Sequence, residues 1–86
     1  MKGVDIMKSR STFNYYEDYK QLTISELEVI KHRCSEKLSM LYHDMSKCIS
    51  NDDKTKFDLL NNESINVHNE LSACTILINH KENGVI

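Results

Sequence analysis

The residues best suited to chemistry in this chain are its three cysteines and four histidines. Thiolate and imidazole are the usual protein ligands of zinc. The cysteines form no C-x-x-C pair, and their spacing to the histidines matches no zinc motif. The sequence therefore predicts neither a metal site nor a disulfide framework. The residues concerned are Cys34, Cys48, Cys74, His32, His43, His68 and His80.

Other patterns typical of enzymes are also missing from the sequence. There is no pair of carboxylates at catalytic spacing, no glycine-rich phosphate loop and no H-x-x-E-H arrangement. Asp44 follows His43, but we interpret this isolated pair as part of the surface. We expect no catalytic residue, no cofactor and no metal, and we predict that the protein is not an enzyme.

Composition restricts the partners further. The chain has 86 residues, with 11 Lys and Arg against 13 Asp and Glu, a net charge of -2. The strongly basic surface of a general nucleic-acid binder is therefore absent from the sequence. No apolar run reaches about 18 residues, and the first residues lack the apolar segment of a signal peptide. We expect a cytoplasmic protein that contacts neither nucleic acid nor membrane.

Apolar residues at heptad spacing indicate the elements that position these side chains. Two stretches carry the spacing, and their residues pair with a constant sum of residue numbers, as an antiparallel helical hairpin requires. Leu38 is then opposite Val67. The cysteines fall on this seam, where a reduced thiol behaves as a small buried hydrophobe. The seam residues are Leu27, Ile30, Cys34, Leu38, Leu41, Met45 and Cys48, then Phe57, Leu60, Ser64, Val67, Leu71, Cys74 and Ile78.

Helix boundaries follow from capping residues. Thr23 and Glu26 form a T-x-x-E capping box, which predicts a first helix over about 24–50. The polar run 50–53 suits a reversal, and Asn83-Gly84 suits the end of a second helix over about 53–82. The prediction is an all-α protein, an antiparallel two-helix hairpin over 23–86 with a short N-terminal helix or arm.

Residues 1–22 form the predicted arm and contain most of the aromatic side chains. Phe13, Tyr16 and Tyr19 recur at i, i+3 and i+6, which predicts a short helix that packs on the hairpin or on a partner. The polar stretches 61–63 and 66–69 lie off the seam. We interpret them as a solvated face.

A two-helix hairpin is seldom stable alone, so a further surface is expected. Some apolar residues of the second helix cannot reach the seam, because neighbouring positions on a helix point to different faces. We predict that these residues and the arm tyrosines form a protein interface. Its residues are Tyr15, Tyr16, Tyr19, Ile65, Ile76 and Leu77.

The second half of the chain also suggests a family. Residues 52–57 with Phe57, then Leu59-Leu60, Glu63-Ser64 and the aliphatic stretch 73–78 resemble the small co-chaperone of type III secretion needle subunits, over residues 25–80. The resemblance implies a non-enzymatic hairpin that packs on a larger helical-repeat chaperone. The pair would hold an aggregation-prone needle subunit in the cytoplasm.

Two functions of different kinds remain as hypotheses. The first is a small helical chaperone or adaptor that binds one protein partner, with the type III co-chaperone as its most specific form. The alternative is a self-associating regulator, a homodimeric four-helix bundle in which two hairpins bury their apolar faces on each other. The mass of the protein in solution distinguishes the two.

Overall fold

Three α-helices make up most of residues 10–85, the part of the chain that the computed structural model describes. They are α1 (Thr12–Tyr19), α2 (Ile24–Ser50) and α3 (Lys54–Glu82). No strand occurs between residues 10 and 85, so the all-α prediction is confirmed. Of the predicted arm 1–22, residues 1–9 lie outside the described part, as does Ile86 at the other end.

The start of α2 is fixed by a reciprocal pair of hydrogen bonds. The backbone N–H of Glu26 donates to Thr23 Oγ1 at 3.2 Å, and the backbone N–H of Thr23 donates to Glu26 Oε1 at 2.9 Å. These bonds occupy N–H groups that have no acceptor within the helix. These bonds fix the point at which α2 begins. The connection between α1 and α2 consists of residues 20–23.

Both long helices end in the same backbone motif. After α2, the N–H of Asp53 donates to the carbonyl of Cys48 at 2.9 Å, and Asp52 adopts φ +55°. After α3, the N–H of Val85 donates to the carbonyl of His80 at 2.8 Å, and Gly84 adopts φ +72°. This is the Schellman arrangement, whose left-handed residue is most often glycine.

Asp53 joins the two long helices, because it ends the reversal and begins α3. Its Oδ1 accepts a hydrogen bond from the backbone N–H of Lys56 at 3.2 Å, which caps the first turn of α3. The chain thus reverses direction within residues 51–53.

α2 and α3 pack along their length in opposite directions. Leu27, near the start of α2, packs with Leu77 and Ile78, near the end of α3. In the middle of the pair, Leu38 and Leu41 pack with Val67. Most heptad positions are buried in this core, including all three cysteines. The buried heptad positions are Leu27, Cys34, Leu38, Leu41, Met45, Cys48, Ser64, Val67, Cys74 and Ile78.

α3 carries a second contact face, and α1 packs on it. Ala73 and Leu77, which lie off the heptad seam, are completely buried, and Tyr15 of α1 is only 6% exposed. Because α1 and α2 both pack on α3, the helices form a thin layer with α3 in the middle. The Cα atoms span 48 × 33 × 14 Å.

Two expectations about the arm and its surroundings need correction. Phe13 does not share a buried side with Tyr16 and Tyr19, since its side chain is 70% exposed and Tyr15 faces α3 instead. The polar stretch 66–69 is not simply solvated, because Asn66 and Asn69 bond to residues of the arm. Hydrophobic periodicity does not reveal a helix face that is covered through polar contacts.

The reversal yields a prediction about stability. Replacing Asp52 by Gly relieves a left-handed conformation that a Cβ atom disfavours, so the free energy of unfolding should rise by about 0.5 kcal/mol. Urea denaturation measures the change. Asn51→Gly is the matched control, because Asn51 has φ -94°. Glycine there only adds freedom to the unfolded chain, and stability should fall. A less stable Asp52→Gly protein would contradict the geometry of this turn.

Candidate protein-binding groove

Hydrogen bonds from tyrosine hydroxyls attach α1 to α3. Tyr15 donates to Asn66 Oδ1 at 2.9 Å, and Tyr19 donates to Glu70 Oε2 at 2.6 Å. The two tyrosine rings also lie against each other, with centroids 5.8 Å apart. A tyrosine can bury its ring while its hydroxyl reaches a polar partner, so these contacts combine packing with directional bonding.

The chain on both sides of α1 is tied to α3 as well. Just before α1, the backbone N–H of Arg10 donates to Asn66 Oδ1 at 2.9 Å, and Asn69 Nδ2 donates to the carbonyl of Arg10 at 2.9 Å. At the other end, Lys81 Nζ donates to the carbonyl of Lys20 at 2.8 Å. The arm therefore runs in the same direction as α3.

Of the three tyrosines of α1, Tyr16 makes the contact nearest the end of α3. Its hydroxyl lies 2.9 Å from His80 Nδ1, and the two rings meet edge to face with centroids 5.7 Å apart. Its ring also packs with Tyr19 against the core around Leu27. The arm thus closes the end of the α2–α3 pair at which α2 begins and α3 ends.

Burial changes the acidity of the docked tyrosines. The pKa of Tyr19 is raised well above its usual value, first because the phenol is partly buried and then because it donates to the Glu70 carboxylate. The pKa of Tyr15 is raised too, mainly by burial and then by the nearby charge of Glu70. Both hydroxyls therefore keep their protons and remain donors across the physiological pH range.

A groove of about 650 Å³ lies between α1 and α2, above α3. Its floor contains the buried side chains of Cys34 and Val67. Tyr19 forms the wall on the α1 side, and Met40, 68% exposed, lies on the α2 side. The complete lining is Tyr19, Ile30, Arg33, Cys34, Glu36, Lys37, Met40, Val67 and Glu70.

The rim of the groove carries charges of both signs. Arg33, Glu36 and Lys37 lie on the α2 wall, and Glu70 lies on α3. Lys37 Nζ forms an ion pair with Glu63 Oε2 at 3.1 Å, which links α2 to α3 beside the groove. An apolar floor with a rim of mixed charge is the usual composition of a protein-binding surface.

The groove thiol is not set up as a nucleophile. Burial raises the pKa of Cys34 to about 12, and the charge of Glu70 adds to the effect. Burial is also the main cause that raises the pKa of the fully buried Cys74, to about 11. Only the thiolate is reactive, so both thiols are inert at neutral pH. Among residues 10–85, no group of three or more His, Cys, Asp and Glu side chains could hold a metal ion.

The six predicted interface residues separate into three groups. Tyr15 and Leu77 are core residues, and Leu77 packs against Leu27 with no exposed surface. The expectation that Leu77 lies off the core is thereby corrected, because α3 buries a second face. Tyr16 and Tyr19 are half-buried, and of the six only Tyr19 lines the groove.

Ile65 and Ile76 are exposed on α3, by 45% and 40%. About three helical turns separate them, so they do not form a continuous apolar patch. Sequence reasoning instead missed Arg33, Met40 and Glu70 as groove residues. No spacing signal could identify them, because the groove exists only where α1 packs on α3.

Comparisons with known proteins assign the chain to no family. No family model, curated protein or solved structure matches the chain. Within residues 10–85, none of the helices has the length and apolar character needed to cross a membrane.

The tyrosine contacts yield a prediction for α1. Tyr19→Phe keeps the ring but removes the donor to Glu70, and it should lower the free energy of unfolding by about 1.5 kcal/mol. Tyr42→Phe is the matched control, since Tyr42 is 54% exposed and its change should stay within about 0.5 kcal/mol. Urea denaturation compares the two variants. Equal stabilities would show that the hydroxyl of Tyr19 does not hold the arm.

The buried thiols predict a pH dependence. Above about pH 8.5 the thiols of the unfolded chain ionise, while native Cys34 and Cys74 keep their protons. The native state then binds more protons, so the free energy of unfolding should fall as the pH rises toward about 9.5. The slope approaches about 1.4 kcal/mol per pH unit for each thiol. Cys34→Ala should reduce this slope, and an unchanged slope would contradict the assignment.

Proposed function

We propose that the protein is a small non-enzymatic helical adaptor that binds one protein partner, by holding an amphipathic helix of that partner in the groove. The observation that carries the proposal is the groove itself, about 650 Å³ in volume, with an apolar floor at Cys34 and Val67. Its lining contains no reactive nucleophile, because the Cys34 thiol stays protonated. Binding is therefore the function that this surface supports best.

The thinness of the fold favours a helix as the bound element. The Cα atoms of the helices span only 14 Å in the shortest direction, so α3 is covered on two sides and open above the groove. A fourth helix above α3 would complete a four-helix bundle, in which each helix has two neighbours. Amphipathic helices commonly bind in this way, with apolar residues at i, i+3, i+4 and i+7 against the groove.

The side chains of the groove indicate the chemistry of the partner helix. Ile30 and Met40 offer apolar contacts on the α2 side, next to the floor. Because Arg33 and Glu70 on the rim carry opposite charges, they are complementary to a helix whose apolar stripe is flanked by charges of both signs. A small ligand of one charge would meet an oppositely charged and a like-charged group together, which disfavours it.

The proposed adaptor consists of the antiparallel hairpin of α2 and α3 with the α1 arm docked on α3. The most specific form of the proposed function is that of a cytoplasmic co-chaperone of type III secretion needle subunits. The resemblance of residues 25–80 to that family supports this form. The groove supports the more general one, an adaptor for a single protein.

Site-specific photocrosslinking in cells of the native host tests the adaptor proposal. A benzophenone side chain placed at Met40 lies on the groove wall, and we expect one predominant adduct with another protein. His43 is the matched control, about one turn further along α2 and exposed outside the groove. The same crosslinker at His43 should give no such adduct. Mass spectrometry then identifies the partner peptide.

A charge reversal at the rim tests the specificity of the adduct. Arg33→Glu leaves the core unchanged, because Arg33 is exposed, and it should reduce the Met40 adduct by about tenfold. Helix content, measured by circular dichroism, should stay the same. Equal adducts at Met40 and His43, or a Met40 adduct made only with a second copy of the chain, would contradict the adaptor proposal.

A further inference from the structure

Most of the charged side chains that line the groove already have a partner within the chain. Lys37 forms its ion pair with Glu63. Oε2 of Glu36 lies 3.3 Å from Nε2 of His32, which is one turn earlier on α2 and does not line the groove. On the α3 side, Glu70 accepts the hydrogen bond from the hydroxyl of Tyr19. A bound helix would therefore compete with an existing contact at each of these groups.

Arg33 is the exception among the charged groove residues. Within residues 10–85, its guanidinium forms no hydrogen bond and no ion pair. The side chain is exposed, so water hydrates its N–H donors in the free protein. Arg33 is therefore the charged groove residue that a partner can bind without breaking a contact of this chain.

A helix seated in the groove removes much of this water. Arg33 shares one face of α2 with Ile30, Cys34 and Met40, because these positions recur at helical spacing. A helix that packs on those apolar side chains therefore also covers the guanidinium. A covered charge without a partner is strongly unfavourable, since lost hydration is not replaced. This chain supplies no acceptor there, so the bound helix has to provide one.

We propose that the helix bound in the groove carries an Asp or Glu side chain that pairs with Arg33. Arg33 then selects partners that have an acidic residue beside their apolar stripe. The inference rests on the proposed function and specifies the chemistry of its partner. A guanidinium presents N–H donors that match the two oxygens of one carboxylate, which makes the pair directional. A lysine or arginine of the partner at this position would meet a like charge.

The spacing along α2 defines where the acidic residue lies on the partner. Arg33 and Met40 are seven positions apart on α2, which corresponds to two helical turns and about 10 Å. A partner helix that lies along α2 rises by the same amount per residue. Its acidic residue should therefore be seven positions from the apolar residue that contacts Met40.

The two carboxylates of the lining do not cancel this preference. The carboxylate of Glu36 is directed to His32, outside the groove. The carboxylate of Glu70 is directed to Tyr19, on the α1 side. The guanidinium of Arg33 therefore determines the charge preference on the α2 side of the groove.

Selection from a displayed library of helical peptides tests the inference on the full chain. Each peptide has about 18 residues, enough to form a helix. It carries a stripe of leucines at i, i+3, i+4 and i+7, with random residues on both flanks of the stripe. Among retained peptides, we expect the ratio of Asp and Glu to Lys and Arg at the flanking positions to rise about tenfold over the unselected library.

Charge reversal shows whether Arg33 causes the preference. Selection on the Arg33→Glu protein should instead enrich Lys and Arg. Lys56→Glu is the matched control, because it changes the net charge by the same amount. Lys56 is exposed near the start of α3 and does not line the groove. The Lys56→Glu protein should select the same acidic peptides as the wild type, and circular dichroism should show both variants folded.

Single peptides give the size and the position of the effect. Replacing the selected acidic residue by lysine should raise the dissociation constant about tenfold for the wild type and lower it for Arg33→Glu, as measured by fluorescence anisotropy. A benzophenone side chain at Met40 should crosslink to the peptide about seven positions from the selected acidic residue. A crosslink beside that residue would overturn the proposed arrangement.

The other outcomes are equally informative. Retained peptides without a charge preference, or an acidic preference that Arg33→Glu leaves unchanged, would overturn the inference and leave helix binding intact. A library from which no peptide is retained, as expected if a second copy of the chain fills the groove, would overturn it as well. The Met40 photocrosslink in cells tests the adaptor function separately, so failure of the inference and failure of the proposed function are distinguishable.

Discussion

The docking of α1 on α3 is the interaction on which the candidate groove depends. Without it, Ala73 and Leu77 would lose their cover, and the groove would have one wall instead of two. The contact combines buried tyrosine rings with directional hydrogen bonds to Asn66 and Glu70. Such bonds need exact placement of both partners, so the arm is held in one position along α3 rather than sliding on an apolar surface.

The docked arm also makes the two sides of the α2–α3 pair different. On one side α1 and α2 border the groove, with rim charges that suit a partner of mixed charge. On the other side, Ile49 and Phe57 line a cavity together with Asp52, Asp53 and Lys54. A small domain buries a limited fraction of its surface, so additional burial through association offers it considerable stabilisation.

The sequence contained enough information for the helices and for most of the core. The capping box at Thr23 and Glu26 occurs as the T-x-x-E pattern predicts, and the heptad positions from Leu27 to Cys48 are mostly buried. These features depend on local bonding and on a single period, which are readable from residue spacing. Ser64 on the seam is buried as well, and its hydroxyl donates to the carbonyl of Asn61.

The second face of α3 could not be read in the same way. On this face, the apolar residues Ala73 and Leu77 are mixed with polar ones. Hydrophobic periodicity therefore predicts that the polar positions are solvated, although they contact α1. These positions are Asn66, Glu70 and His80. The helix that covers this face is distant in sequence, since Tyr15 and Asn66, which bond to each other, are 51 residues apart. No local rule specifies which polar side chains will meet across such a distance. The groove residues Arg33 and Met40 were missed for the same reason.

The most direct measurement of the central claim is a nuclear Overhauser experiment on the isotope-labelled full chain. The rings of Tyr16 and His80 meet edge to face with centroids 5.7 Å apart, so cross-peaks between their ring protons should be observed. The backbone amides of α1 should also exchange with solvent more slowly than those of an unstructured segment. Absence of the cross-peaks, together with unprotected α1 amides, would show that the arm does not dock on α3 and would remove the groove on which the proposed function rests.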